Sequence, residues 1–325
     1  MQRAAWASKM SRNDIKEGED IVAQARKMCC ASCGKSELDD IKLKKCDGCD
    51  LVRYCSDNCQ QDHRPQHAGK CKERAAELRE ETLFRQPESS HLGDCPICSV
   101  PLPIEDPTFY SCCCKNVCIG CSNANQLHQL EENMPRTCPF CRHPLPIRPE
   151  YGDKYMSTLK RVATDNPVAL CKLGMELYHK GDYDGAFKYW KKAAALGDAD
   201  AHFNLSIIYH TGDGVEKDEN KNSFHLEEAA IRGHPEARHA LALKEGAKGN
   251  FERTVKHFII AANLGHDNSI QTLRKHYKDG LVSKDDLAAA LRGHHAAVEA
   301  TKSPNREMVK LLLGNANASK ENKEK

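Results

Sequence analysis

The placement of cysteine is the feature that most constrains how this chain can fold. All but one of the 18 cysteines lie in the segment from Cys29 to Cys141, and most form pairs that are separated by two intervening residues. A Cys-x-x-Cys pair places two thiolates close enough to bind one zinc ion, although a single redox motif has the same spacing. Five such pairs, interleaved with further Cys and His residues, predict several structural zinc sites. The pairs are Cys30/Cys33, Cys46/Cys49, Cys95/Cys98, Cys118/Cys121 and Cys138/Cys141. We therefore expect this part of the chain to fold around metal ions.

Composition limits the environment and the partners. The first 28 residues lack the apolar segment of a secretory signal, and no apolar run approaches the roughly 18 residues that span a membrane. A reducing cytoplasmic or nuclear location and no membrane partner are expected, with the cysteines kept as metal ligands. The net charge is +2 and no recognition helix is evident, so nucleic acid is not an expected partner. Residues 1–28 and 314–325 are predicted to be disordered polar tails.

The first cysteine cluster covers residues 29–71 and contains eight candidate zinc ligands. These are Cys30, Cys33, Cys46, Cys49, Cys55, Cys59, His67 and Cys71. Their spacing, together with the runs Tyr54-Cys55-Ser56 and Cys59-Gln60, resembles a MYND zinc finger. The resemblance implies two interleaved sites, one held by Cys30, Cys33, Cys55 and Cys59 and the other by Cys46, Cys49, His67 and Cys71. Cys29 is expected to be a bystander.

Two further features qualify this first cluster. The residues Cys46, Cys49, His63 and His67 nearly match a DNA-reading Cys2His2 finger, but that assignment leaves five cysteines without partners. MYND fingers commonly bind proline-containing peptides through a Gln and a nearby Trp. Gln60 is present here, but Arg64 occupies the Trp position, so the aromatic side of the peptide-binding site is missing.

The second cysteine cluster covers residues 94–148 and resembles a RING finger. Its candidate ligands are Cys95, Cys98, Cys112, Cys113 or Cys114, Cys118, Cys121, Cys138 and Cys141. Lys115 stands where the commonest RING spacing places a His ligand, so an all-cysteine variant is predicted. Steric ease favours Cys112 with Cys114, because adjacent side chains point apart, whereas the spacing of some all-cysteine RING relatives favours Cys112 with Cys113. The two modules together are predicted to hold about four zinc ions, two in each.

The RING resemblance also implies a partner. RING fingers position a ubiquitin-conjugating enzyme and its ubiquitin conjugate for attack, and they make no bonds themselves. Ile97 matches the apolar contact to the conjugating enzyme, Pro139 shapes the same groove, and Arg142 matches the residue that bridges the enzyme and ubiquitin.

The remainder of the chain is predicted to be helical and repetitive. A helical linker covers residues 72–93, and helix-period apolar residues follow from 155 to 313. Gly197, Gly233 and Gly265 recur at spacings of 36 and 32 residues, each after an Ala-Ala pair, and are predicted to end helices in the left-handed conformation. Pro167 and Pro235 suit the first turn of a following helix. The pattern resembles Sel-one-like repeats, relatives of the tetratricopeptide family, which implies a solenoid that holds protein partners.

The combined expectation is a multidomain protein with two small zinc-stabilised α+β modules followed by an all-α helical-repeat solenoid. No phosphate-binding loop, nucleophile elbow or HExxH motif is present, so chemistry of those classes is not expected. The predicted function is a zinc-binding interaction scaffold with RING-type E3 ubiquitin ligase activity, in which the repeats recruit the substrate. The alternative is a non-catalytic adaptor in which all three parts only bind protein partners.

Overall fold

The computed structural model describes residues 29–33, 35, 42–105, 107–145 and 166–321, with side chains up to residue 312. The predicted N-terminal tail, residues 1–28, and the start of the predicted repeat region, residues 155–165, lie outside the described residues. The chain divides into two compact units, Met1–Leu83 and Phe84–Lys325.

The first unit contains a small hairpin and one long helix. Strands β1 (Lys44–Lys45) and β2 (Arg53–Tyr54) pair in antiparallel register, and helix α1 runs over Asp57–Leu83. The buried apolar residues here are few, with Cys30, Leu43 and Tyr54 at the centre. So small a core needs a further source of stability, which the predicted metal sites would supply.

Helix α1 runs from the predicted zinc finger into the predicted linker. It begins before the last three predicted ligands of the first module and continues through residues 72–83 without a break. The physical reason is that this stretch is rich in Ala, Glu, Leu, Lys and Arg, which are strong helix formers. Only the first half of the predicted linker is therefore helical, and residues 84–93 form turns and irregular chain.

The second unit begins with the second cysteine module. Strands β3 (Thr108–Tyr110) and β4 (Lys115–Val117) form an antiparallel hairpin whose turn carries the cysteine triplet, and helix α2 covers Ile119–Glu131. The Cys118 thiol caps this helix by accepting a hydrogen bond from the Cys121 amide. Leu102, Tyr110 and Val117 form a small core together with three of the ligand cysteines.

A helical solenoid follows. The described helices are α3 (Pro167–His179), α4 (Tyr183–Ala195), α5 (Ala199–Thr211), α6 (Glu219–Ile231), α7 (Pro235–Ala247), α8 (Phe251–Asn263), α9 (Asp267–Lys278), α10 (Lys284–Ala300) and α11 (Pro304–Glu321). From α3 to α10, each helix packs against neighbours in the stack. A zinc-finger-like region followed by an all-helical solenoid is therefore confirmed. None of the helices in the described part of the chain combines the length and the apolar character needed to cross a bilayer.

Small residues allow the repeat helices to approach closely. Ala169, Ala201 and Ala237 occupy the third position of successive repeats and are fully buried. The glycines at the ends of α4, α6 and α8 have φ angles of 88° at Gly197, 83° at Gly233 and 89° at Gly265, which confirms the predicted left-handed helix ends. Pro167 and Pro235 begin α3 and α7, as predicted.

The last helix differs from the prediction in both its length and its packing. Gly314 does not end α11, which continues to Glu321, whereas the sequence predicts a disordered tail from residue 314. A single glycine inside a helix costs only about 1 kcal/mol relative to alanine, so Gly314 is a weak stop signal. Helix α11 packs on α2 of the second cysteine module, so it is not one further repeat helix.

Substitution of Gly233 tests how tightly residues 84–93 are held on the repeats. A Cβ at Gly233 would lie 2.6 Å from the Ser89 carbonyl oxygen, whereas a Cβ at Gly249, which is also left-handed, meets nothing within 4 Å. Gly249→Ala is expected to cost about 1 kcal/mol from backbone strain alone. Gly233→Ala should cost about 2 kcal/mol more, because main-chain atoms must move apart. Chemical denaturation of both variants measures this difference, and equal losses would mean that the contact with Ser89 contributes nothing.

Candidate metal centres

The first unit brings eight predicted ligands into two groups of four. Cys30, Cys33, Cys55 and Cys59 form one group, and Cys46, Cys49, His67 and Cys71 form the other, with the ligand atoms of each group all within 4.8 Å of one another. The groups interleave along the chain, as the sequence analysis predicts. Helix α1 supplies Cys59, His67 and Cys71, so a single helix holds parts of both groups.

The distances between ligand atoms match those around a zinc ion. Zn–S bonds of about 2.3 Å in a tetrahedron place the sulfur atoms about 3.8 Å apart. The Sγ atoms of Cys33 and Cys55 are 3.5 Å apart, those of Cys55 and Cys59 are 3.6 Å apart, and those of Cys46 and Cys71 are 3.7 Å apart. These residues therefore fit zinc, and binding by these particular ligands stays a prediction.

The thiols in the first group cannot all ionise without a cation. Burial opposes ionisation of Cys30, but backbone N–H groups of Cys33 and Cys55 outweigh it and lower the pKa of Cys30 to about 6. The neighbouring thiols of Cys33 and Cys59 raise the pKa of Cys55 to about 12. A divalent cation removes this conflict, because it stabilises all four thiolates together.

His67 is prepared as a neutral ligand. Its Nε2 lies 3.2 Å from the Cys49 Sγ, and burial, followed by the charge of His63, lowers its pKa. The His63 ring stacks on His67 at 5.6 Å and its Nδ1 lies 3.0 Å from the buried Tyr54 hydroxyl. His63 is thus half-buried and supports the ligand, a role that the sequence analysis does not assign to it.

The second module also contains two interleaved groups of four cysteines. One group is Cys95, Cys98, Cys118 and Cys121, and the other is Cys112, Cys113, Cys138 and Cys141. Sγ–Sγ distances of 3.9 Å for Cys98 and Cys118 and 3.5 Å for Cys112 and Cys141 again match zinc geometry. Backbone N–H groups, the first from Cys118, outweigh burial and lower the pKa of Cys95 to about 7.

The two Cys-Pro-x-Cys turns of this module have the same backbone geometry. In the first turn, the Ser99 amide donates to the Cys95 carbonyl at 2.8 Å, and in the second, the Arg142 amide donates to the Cys138 carbonyl at 3.0 Å. Ser99 and Arg142 both have positive φ, at 53° and 60°. Each turn is therefore a tight loop that points two thiols at one position.

The structure groups Cys113, and not Cys114, with Cys112, and zinc binding by Cys113 stays a prediction. Cys114 has a φ of 53° and is 4% exposed. Its side chain belongs to the apolar cluster of the first repeat, which includes Leu170, Cys171 and Leu173. Cys29 joins no group among the described residues.

The three residues assigned to ubiquitin transfer lie on these turns. Ile97 is 43% exposed, Arg142 is exposed, and Pro139 is half-buried. Phe140, next to Pro139, is 45% exposed. Side chains of this size remain available for contact with another protein.

Arg306 of α11 is a residue of the second module that the sequence analysis misses. Its side chain is 2% exposed and donates to the carbonyls of Pro101 at 2.6 Å and Val100 at 3.1 Å, while Nη2 lies 3.7 Å from the Cys98 Sγ. A site of one zinc ion and four thiolates carries a net charge of about −2, which a nearby guanidinium offsets. No local motif marks Arg306, because its partners in the module are more than 200 residues away.

A fifth cluster consists of two imidazoles around one carboxylate. His91 Nε2 lies 2.8 Å from the Asp200 Oδ1, and His234 Nε2 lies 3.4 Å from the same atom. The rings are stacked, 4.3 Å apart and 11° from parallel. The two imidazoles therefore share one carboxylate oxygen; burial opposes ionisation of Asp200, but the hydrogen bonds from His234 and His91 outweigh it and hold the pKa of Asp200 well below its usual range.

Comparison with known proteins identifies two of the parts. The family model of the MYND finger matches residues 30–71, and that of the Sel1 repeat matches residues 167–198, 199–234 and 235–266. The chain thus contains a MYND finger, which implies zinc binding, and three Sel1 repeats. The RING resemblance of residues 94–148 is not shown by these comparisons, and its cysteine groups are compatible with further zinc sites.

Similar proteins share only part of the chain. Two proteins named "Putative beta-lactamase HcpC", from Helicobacter pylori strains ATCC 700392 / 26695 and J99 / ATCC 700824, are 39% identical over 56 residues, which is 17% of this chain and 19% of theirs. The chain therefore spans about a fifth of the length of these relatives.

Two solved structures show limited similarity to this chain. A Sel1 repeat protein from Oxalobacter formigenes is 26% identical, with a TM-score of 0.39 over 45% of this chain and 64% of that one. The protective antigen c5321 of uropathogenic Escherichia coli, described as having an SLR fold, is 20% identical, with a TM-score of 0.35 over 49% of this chain and 36% of that one.

Proposed function

We propose that this protein is a zinc-stabilised protein-interaction scaffold that acts in the cytoplasm or nucleus. The observation that carries the proposal is the combination of a MYND finger, a second cysteine module and three Sel1 repeats, in which the second module shares a buried core with the first repeat. Cys114 and Phe109 of the module pack against the helices of that repeat. A module held in this way has a fixed position relative to anything that the repeats bind.

The repeats offer an apolar row for a partner. Ile207 and Leu243 occupy the ninth position of successive repeats and are 37% and 55% exposed. Equivalent positions lie on the same side of a solenoid, so the two side chains face one side of the stack. Cross-linking of the tagged full chain in cells, followed by mass spectrometry, tests the proposal. The Ile207→Ser/Leu243→Ser double variant should lose most specific partners, while Phe251→Ser, at an exposed position outside the row, should keep them. No difference between the two variants would contradict a scaffold that works through this row.

The second cysteine module favours ubiquitin ligase activity as the output of the scaffold. Its cysteines form two interleaved groups of four, and its two turns carry the exposed Ile97 and Arg142 and the half-buried Pro139. In this proposal, the module binds a ubiquitin-conjugating enzyme through Ile97 and Pro139. Arg142 then holds the conjugated ubiquitin in a reactive orientation, and the repeats hold the substrate.

Arg142→Ala is the sharpest test of the ligase proposal. Arg142 makes its proposed contact only in the activated complex, so ubiquitin discharge from a panel of conjugating enzymes should fall at least about tenfold, or some 1.4 kcal/mol. Thermal stability and zinc content should not change, because Ala and Arg meet the same backbone strain at a φ of 60°.

Matched variants separate binding from positioning in this assay. Ile97→Ala should weaken binding of the conjugating enzyme itself, whereas Arg136→Ala, an exposed arginine before the second turn, should behave as the unaltered protein. If the unaltered protein discharges no conjugating enzyme, or if Arg142→Ala is fully active, the module only binds partners and the adaptor alternative holds.

A further inference from the structure

Residues 84–93 bind along the repeats of their own chain. The Phe84 ring lies 4.6 Å from the His257 ring and 4.8 Å from the Arg253 guanidinium, both on α8. The Gln86 Oε1 accepts a hydrogen bond from the Asn263 amide nitrogen at 3.1 Å. The segment then crosses the turn at Gly233, which joins the second repeat to the third. The repeats therefore already hold one irregular peptide segment in cis.

The Gly233 turn holds that segment through one main-chain bond and one side-chain pocket. The His91 amide donates to the Gly233 carbonyl at 3.1 Å. The His91 ring then lies on the His234 ring, which caps α7, and reaches Asp200, the second residue of the second repeat. The absence of a side chain at Gly233 allows this approach, because the Ser89 carbonyl would lie 2.6 Å from a Cβ there.

The Gly197 turn is the equivalent position one repeat earlier, and it lies open. Gly197 has nearly the same φ, 88° against 83°, and a Cβ built on it would meet only the Arg232 Nε, at 4.0 Å. No described residue donates to its carbonyl oxygen. A cavity of about 380 Å³ lies beside the turn. Its lining includes His91, Lys115, Val168, Leu196, Asp198 and Arg232.

Comparison of equivalent positions in successive repeats predicts which ligand side chain this cavity binds. At the Gly197 turn, Asp198 occupies the helix-cap position that His234 occupies at the Gly233 turn. Val168 occupies the second position of its repeat, where the next repeat has Asp200. A ligand side chain placed as His91 is placed at Gly233 would therefore meet a carboxylate and an aliphatic surface. Leu196, which is 53% exposed at the same turn, extends that surface. A lysine or arginine, with an aliphatic stem and a cationic end, matches this pair.

Among the described side chains, the Asp198 carboxylate forms no ion pair, although the Cys171 thiol donates to it and the nearby His91 favours its ionised form. One oxygen accepts the Ala201 amide at 2.7 Å, and burial, followed by the charge of Asp200, raises its pKa to about 6. Arg232 does not compensate for this, because its guanidinium is held by Glu228 at 2.5 Å. The His91 side chain, 10% exposed, also leaves its Nδ1 without a hydrogen bond to any described residue.

We infer that the Gly197 turn and its cavity bind a peptide segment of a partner protein that carries Arg or Lys at the position corresponding to His91. The amide of that residue donates to the Gly197 carbonyl, its stem packs on Val168 and Leu196, and its cation pairs with Asp198. This inference rests on the proposed scaffold function and names one kind of partner for it.

A peptide copied from this chain provides the probe. A fluorescent peptide with the sequence of residues 86–93, carrying His91→Arg, should bind the full-length protein saturably in an anisotropy titration. A peptide with His91→Glu should bind at least tenfold more weakly. Asp198→Asn should also weaken binding of the Arg peptide at least tenfold, because it keeps the helix cap and removes the charge. Asp182→Asn, the same change at the exposed cap of α4, is the matched control and should bind normally.

Three results would overturn the inference: no saturable binding, equal binding of the Arg and Glu peptides, or equal binding to Asp198→Asn and Asp182→Asn. Methylation of the arginine amide nitrogen in the peptide should also weaken binding about as much as Asp198→Asn does. None of these results alters the ubiquitin discharge assay or the cross-linking at Ile207 and Leu243, so failure of this site and failure of the proposed function are distinguishable.

Discussion

Removal of zinc by a strong chelator should unfold both cysteine modules and leave the repeat helices largely intact. Each module has a small core, and each of its cysteine groups joins parts of the chain that are distant in sequence. A structural zinc ion contributes on the order of 10 kcal/mol to folding, which cores of this size do not replace. The repeats are instead held by buried residues such as Leu173, Leu205 and Leu273.

Hydrogen exchange with and without chelator measures this difference by region. Amides of residues 42–59 and 94–145 should lose their protection, amides of residues 199–278 should keep most of theirs, and added zinc should restore the original pattern. Continued protection of the cysteine modules after complete chelation would mean that their cores fold without metal. Loss of protection throughout the repeats would mean that the solenoid depends on the second module for its stability.

Arg306→Met should release α11 from the second cysteine module. The substitution keeps an unbranched side chain but removes the arginine donor to the half-buried carbonyls of Val100 and Pro101, of which Val100 keeps the Cys95 amide. A carbonyl left without a partner costs about 1–3 kcal/mol and a lost hydrogen bond about 1 kcal/mol, so a total loss of about 3 kcal/mol is expected. The loss of positive charge beside Cys98 should also speed zinc release from that module.

Lys310→Met is the matched control for this change. It replaces an exposed cation on the same helix, one that pairs only with Glu307 at 3.4 Å. Its effect on unfolding should stay below about 0.5 kcal/mol. Thermal denaturation and transfer of zinc to a chromogenic chelator measure the two quantities. Equal behaviour of the two variants would mean that Arg306 does not hold α11 in place.

Features that depend on local spacing could be predicted from the sequence. The cysteine pairs can be recognised in the sequence, because two ligands on one tight turn are separated by two intervening residues. The left-handed glycines at 197, 233 and 265 follow from the repeat, since each must end a helix in the same way. The metal groups of the first module agree with the grouping that the MYND resemblance implies, and their binding of zinc stays a prediction.

Features that depend on packing between distant parts could not be predicted. Cys113 and Cys114 differ only in the neighbours that they meet, and the apolar core of the first repeat holds Cys114. The burial of Arg306 depends on a helix that returns to a module formed 200 residues earlier. Residues 84–93 look like a polar linker, because their partners, such as Gly233, lie in repeats far along the chain.

The number of zinc ions bound to the purified full chain tests the central claim most directly. Four groups of four ligands predict four zinc ions on the 36.3 kDa chain, which native mass spectrometry resolves as separate mass increments. Cys138→Ser should lower the count without changing the two ions of the MYND finger. A count of two in the fully folded protein, unchanged by Cys138→Ser, would show that the second cysteine module does not bind zinc and would contradict the account.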